Sequence, residues 1–332
     1  MLINIIDKLL LIATFSLIAL SLELTGFPEW LAAKSMLCST PKRLILFWFC
    51  IAFCLSGVFN DMTVAALLAP LALRSAQQIN FPRIDLILLA VAFGISTGGD
   101  LTVFGGNDNL IALGLLQDTP YALTKLSWSF VFVPSTVLIG ITAVSICLFA
   151  VRKVMWKAPE QLSCIRVNWL FVCLCAVTIT SAFFIPIVYI TCLALFLLAM
   201  QHALRKIPIV LPYKAMLIWT IAFIIGKLLN YCLTDFISIP DNILLLTALL
   251  ILLTNFFTNT ALMSLALPFI LAANLPAGTC YAAVKAINIA YITIYGNSCL
   301  AVSSGYGLKQ RQLFIYGLPL LFSSWLIINI CF

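Results

Sequence analysis

Three carboxylates stand where carboxylates are expensive. Asp61 lies in Phe59-Asn60-Asp61-Met62-Thr63, and Asp100 and Asp108 lie in the glycine-rich run Gly98-Gly99-Asp100-Leu101-Thr102-Val103-Phe104-Gly105-Gly106-Asn107-Asp108-Asn109, each flanked by long apolar sequence. A carboxylate at the centre of a bilayer costs ~2.5–3.5 kcal/mol even on insertion scales, so each needs a cation, a proton or a basic partner. Unwound glycine carbonyls and threonine hydroxyls add neutral oxygens of the kind that replace the water shell of Na+. Asp61, Gly98, Gly99, Asp100, Thr102 and Asp108 are therefore the candidates for cation or proton coupling. Two further polar islands, Thr258-Asn259-Thr260 and Gly296-Asn297-Ser298, carry no charge. Their residues Thr258, Asn259, Thr260, Asn297 and Ser298, with Asn60, Thr63 and Asn109, are the candidates for binding substrate. Each set also has a structural reading, because Asp is a good helix cap and a polar tip satisfies a buried turn.

Two lysines, Lys227 and Lys285, fall within apolar segments near Asn230 and Asn288. An intramembrane lysine holds an anionic substrate or pairs with a carboxylate. Lys285 is only a few residues into its helix and could instead snorkel to the outer interface. His202 sits beside Arg205 and Lys206 and reads as a solvated edge residue.

The elements that position these residues follow from composition. The chain of 332 residues is 64% hydrophobic and 9% charged, with a mean hydropathy of +1.16. Soluble domains run at roughly 45–50% apolar and 25% charged. Apolar stretches recur through the sequence, most near the ~20 residues that cross a bilayer. The fold class is an all-α polytopic membrane protein, one membrane domain over 1–332, multi-pass in the cell (inner) membrane. Residues 1–24 read as a membrane helix, since no small-residue cleavage site precedes Glu23. The twelve cysteines show neither disulfide nor metal spacing. The net charge of +7 comes in short clusters between apolar runs, which excludes a nucleic-acid face. Neither a phosphate-binding loop nor a nucleophile elbow is present, so we expect no enzyme activity and no cofactor, only Na+ or H+ as a coupling ion.

Lys42-Arg43 and Arg74 with Arg83 mark the cytoplasmic side at both ends of the segment 44–73. Its two apolar arms, about fifteen and ten residues or roughly 22 and 15 Å as helix, are each too short to cross. A re-entrant hairpin with its polar tip at Asp61 fits both facts. Residues 84–116 then read as one transmembrane helix broken at the glycine run, and 121–150 as a plain span. After a polar connection the second half opens with spans near 168–184, 187–203 and 215–233, ending at Asp235 and Asp241. The earlier order then returns: a hairpin over 242–272 entering from the opposite side, a broken helix over 281–307 interrupted at Gly296-Asn297-Ser298 and at Ser303 to Gly307, and a final span. The first repeat is 1–151 and the second 165–332. Such inverted repeats hold their substrate near the midplane, at the broken elements.

The motifs resemble an ion-transporter superfamily that includes the divalent-anion:sodium symporters, the citrate transporters and the arsenite-permease/sodium-proton-antiporter group. Thr258-Asn259-Thr260 with Pro268, and Asp61 with Pro70, are similar to the symporters' tip with a proline nine residues on. Gly98, Gly99, Thr102, Gly105 and Asn109 match the family's glycine-rich stretch, and Gly305-Tyr306-Gly307 its second-half ending. Asp61, Asp100, Asn107-Asp108 and Leu300 depart from the pattern. The resemblance implies ion-coupled transport by an elevator-like motion, and a homodimer. The partners expected are a small ionic substrate and the lipid bilayer, with no nucleic acid. Carriage of a small anion, carboxylate-like or inorganic, with Na+ or H+ is the leading reading. Na+/H+ antiport, arsenite-type efflux and a non-transporting protein that retains the fold are the alternatives.

Overall fold

The computed structural model describes residues 10, 14, 17–18, 20–22, 24–35, 37–117, 119–156, 167–205, 221, 224, 240 and 242–332, side chains at 187 and 201–205 excepted. Most of the first helix, the span at 215–233, Lys227, Asn230, Asp235, Asp241 and the His202 side chain lie outside the described residues. Everything regular within them is α-helix: α1 Phe27–Ser35, α2 Pro41–Ser56, α3 Asp61–Gln78, α4 Ile84–Gly98, α5 Asn107–Leu116, α6 Lys125–Val151, α7 Trp169–Ser181, α8 Ile187–Arg205, α9 Ile243–Thr254, α10 Asn259–Ala272, α11 Ala277–Ile287, α12 Ser298–Gly305 and α13 Gln310–Cys331.

The order α2–α3, α4–α5, α6 recurs as α9–α10, α11–α12, α13. α2 and α3 form one hairpin, whose arms of 16 and 18 residues extend beyond both ends of the 44–73 segment. α4 and α5 are the two pieces of the first broken helix. Among the described residues, only α6 and α13, at 27 and 22 residues, are long and apolar enough to span by themselves. On α13, Phe314, Leu318, Phe322, Leu326 and Ile330 are exposed at four-residue spacing. That stripe suits lipid and not water. By contrast α4 is buried on every side from Leu86 to Gly98, and α11 is buried from Ala282 to Ile287. These two half-helices are the core.

Close approach to α4 depends on small residues. A Cβ at Gly94 would sit 2.7 Å from Phe49 O, and one at Gly98 would sit 2.7 Å from Phe53 Cα. This Gly-x-x-x-Gly face lets the α2 backbone lie directly on α4, the way small residues pack membrane helices.

The same hydrogen bonds close both tips. Asp61 N donates to Gly105 O (2.8 Å), and Asn259 N donates to Gly296 O (3.0 Å). Ser56 Oγ donates to Ile95 O (2.8 Å), and Thr254 Oγ1 to Ile287 O (2.5 Å). Thr102 Oγ1 donates to Gly57 O (2.6 Å), and Thr293 Oγ1 donates to Asn255 O. Such correspondence across the halves is the inverted repeat at atomic level.

The second break begins earlier than the glycine pattern predicts. α11 ends at Ile287, and 288–297 is unwound although Ile289-Ala290-Tyr291 is apolar and buried. Asn255 makes this tenable: its amide donates to Ile289 O (3.2 Å) and its Oδ1 accepts from Ile292 N (3.1 Å). Ser303, Ser304 and Gly305 lie within α12 and not in a second interruption.

Gly105 and Gly296 occupy equivalent places against the tips, where a Cβ would lie 2.5 Å from Ser56 O and Thr254 O respectively. Gly105→Ala and Gly296→Ala are each expected to destabilise the fold by about 1–3 kcal/mol through overpacking. Gly305→Ala meets nothing within 4 Å and serves as the control. Thermal unfolding in detergent reads the difference.

Candidate functional site

Four half-helices begin at one place. α3 packs on α12 and α10 packs on α5, so each hairpin tip is seated on the broken helix of the opposite half. The sequence starts these helices there by capping: Asn60 Oδ1 accepts from Met62 N (3.1 Å), Thr258 Oγ1 from Ala261 N (3.2 Å) and Asn297 Oδ1 from Cys299 N (3.0 Å). The first tip is joined sideways to the start of α5 by Asn60 Nδ2 donating to Asn107 Oδ1 (3.1 Å). Asn297 Nδ2 donates to Ser96 Oγ (3.0 Å), and its side chain also lies against Asp61. Asn259 lies against Asp108 in the same way. Gly99 has no side chain because the Asp61 carboxylate occupies the space where a Cβ would be.

The three carboxylates separate into two kinds. Asp100, 6% exposed, accepts from Lys285 Nζ (2.6 Å) and from Asn288 Nδ2 (2.8 Å). Lys285 is 1% exposed and donates also to Thr136 Oγ1 on α6 (2.7 Å). Asn109 completes the cluster, accepting from Asn288 (2.8 Å) and donating to Gly99 O (2.9 Å) and Thr102 O (3.2 Å). Lys285 therefore does not snorkel; its ammonium crosses from α11 to the first broken helix, where a buried carboxylate balances its charge.

Asp61 and Asp108 have no basic partner among the described residues. Ser56 has one proton and two acceptors in reach, Ile95 O at 2.8 Å and the Asp61 carboxylate. The second half shows how that shortage is relieved. There Thr254 gives its proton to Ile287 O, and hydrogen-bond complementarity orients Asn259 with its amide nitrogen toward Thr254 Oγ1 (2.7 Å), Gly296 O (2.9 Å) and Ile287 O (3.2 Å). Asp61, in the position of that asparagine, matches it only when it too carries a hydrogen.

The citrate transporter profile matches residues 2–323. The chain belongs to the citrate transporter family. Family membership makes it an integral membrane protein with a transport role. The fold is also that of the Alcanivorax borkumensis YdaH transporter, whose crystal structure was described as revealing an unusual topology. The two are 16% identical with a TM-score of 0.59 over 97% of this chain and 83% of that one. No curated protein matches the chain significantly.

In this family member, the candidate residues sort by what they touch. Asp61, Asp108, Asn60, Asn259 and Asn297 converge. Gly98 and Gly99 line the close approach of α2 and of Asp61, and Thr102 is spent on Gly57 O. Asn109 is wholly buried and engaged in the Asp100 cluster, so it positions the break and does not face a substrate. Thr258 is exposed and serves as a cap. Thr260 is half-buried, with its carbonyl accepting from Ser264 Oγ (2.8 Å), and Ser298 is exposed beside the Asn297 cap. Thr63 points away, into a small void with Leu22, Leu55, Phe59, Val64 and Leu67. Ser56, Ser96, Thr136, Thr254 and Asn255 were not singled out by motif. Ser56 and Thr254 each precede their tip residue, Asp61 or Asn259, by five positions, and that matched spacing was the available signal.

Asp100→Asn leaves the Lys285 ammonium buried without its counter-charge, which costs about 3–5 kcal/mol. A large fall in melting temperature is expected for Asp100→Asn, largely restored in Asp100→Asn/Lys285→Met. Asp61→Asn, which can donate to Ser56 as Asn259 does to Thr254, is expected to melt close to the unaltered protein.

Proposed function

We propose that this chain is a secondary active transporter that moves a small anion, carboxylate-like or inorganic, with an obligatory proton or cation bound at Asp61 and Asp108. One observation carries the reading: two carboxylates with no basic partner among the described residues sit where four half-helix N-termini meet. The N-terminal end of a helix carries roughly half a positive charge and favours an anion. Asp61 and Asp108, at the first turns of α3 and α5, cancel that attraction while ionised. An anion enters well only after both are neutralised, and this is a physical basis for coupling. The shortage of protons at Ser56 favours H+ over Na+ at Asp61. The family's description makes citrate the first anion to test.

The moving part is the body formed by both hairpins, both broken helices and the helices α6 and α13 packed on them, α6 being tied to Lys285 through Thr136. Cross-packing of α3 on α12 and α10 on α5, with the Asp100–Lys285 tie, supports their travelling together against the remaining helices in an elevator-like motion. A second reading, Na+/H+ antiport, rests on the same two carboxylates and needs no anion site.

Reconstitution into liposomes with a pH-sensitive dye distinguishes these. Citrate and other di- and tricarboxylates are expected to produce proton-coupled uptake that rises as the outer pH falls. Asp61→Asn is expected to lower gradient-driven accumulation at least tenfold while the protein stays folded. A proton signal driven by Na+ alone would replace this reading with antiport, and silence from folded protein toward every anion and cation offered would overturn transport of this kind.

A further inference from the structure

The Asp100 site has the makings of an ion site, yet a side chain fills it. It lies at the unwound end of α4, where Gly99 O and Thr102 O are held in place by Asn109 and where Thr136 Oγ1 and the Asp100 carboxylate supply oxygens. Backbone unwound beside a carboxylate is the arrangement that coordinates a free cation in transporters built this way. Here the position is taken by the Lys285 ammonium, 2.6 Å from Asp100 Oδ2 and 2.7 Å from Thr136 Oγ1, delivered from the other half of the repeat. Lysine brings the same single charge on a covalent tether.

We propose that Lys285 is a resident cation that permanently occupies a monovalent-cation site at Asp100, leaving Asp61 and Asp108 as the exchangeable sites. Asp100 then contributes no charge to the transport cycle, and the number of coupling ions is smaller than the number of intramembrane carboxylates. The two halves gain a tether that no change of external ion removes. Only the consequence for coupling rests on the transporter reading, because occupancy of the site is measurable without transport.

The test is ion-dependent melting of the purified full-length protein in sodium, lithium, potassium or choline chloride at equal ionic strength and fixed pH. Lys285→Ala empties the site and is expected to melt lower in choline, then to gain at least 5 °C with saturating Na+ or Li+. Lys285→Ala/Asp100→Asn is expected to respond to ions no more than the unaltered protein does. An identical ion response in Lys285→Ala and the double variant would overturn the proposal. Should Lys285→Ala fail to fold in every salt, Lys285→Met/Asp100→Asn gives the answer. Its ion response must equal that of the unaltered protein, and loss of a response that the unaltered protein shows would make Asp100 an exchangeable site. Failure of citrate transport would leave all of these melting results intact.

Discussion

Backbone that leaves the helix inside a membrane protein has no water to turn to, so every freed N–H and C=O must find a partner in the protein. The architecture follows from how this chain meets that demand. Where α4 unwinds, Asn109 and Thr102 reach back to Gly99 and Gly57. Where α11 unwinds, Asn255 and Thr293 do the same for Ile289 and Asn255. Asn109 apart, these bonds run between each break and its neighbouring hairpin, which is why hairpin and break are inseparable in each half. The hairpin tips in turn are closed by Gly105 O and Gly296 O, carbonyls that exist as free acceptors only because the helices are broken.

Electrostatics then divides the polar centre into a part whose charges are paired and a part without a basic partner among the described residues. Asp100, Lys285, Asn288, Asn109 and Thr136 form a closed set in which the charges balance. Asp61 and Asp108 stand outside that balance, each beside an asparagine of the opposite half. Three carboxylates within fifty residues look alike in sequence, and only the fold reveals that one of them has a lysine 185 positions away.

The fold was largely legible because its signals are periodic and redundant. Hairpin arms too short to span, basic clusters at both ends of the first hairpin and a proline nine residues after each tip residue all predict one arrangement twice. The glycine run gave the first break away. The second break was misplaced because Ile289-Ala290-Tyr291 is as apolar as any helix, and the residue that permits its unwinding, Asn255, lies 34 positions earlier at the foot of a tip. The tip residues were legible as a set but not by role. Thr63, Thr258 and Asn109 are as polar as Asn259, and only packing separates a cap or a buried strut from a group that faces the centre. Lys285 showed the limit most clearly, since distance to a bilayer surface and distance to a carboxylate cannot both be read along a line.

The exchange of partners between the halves bears on how the protein is made. Asp100 is synthesised 185 residues before Lys285, and at about 5–20 residues per second that separation amounts to roughly ten to forty seconds. During that interval the first half has been delivered to the bilayer with its carboxylate unmatched and the seats for α10 and α12 vacant. Until α11 is made, Asp100 lacks the ammonium that pairs with it in the finished fold. The ion pair is thus a late fastener, and the contacts of the first repeat are completed only once α11 has been made.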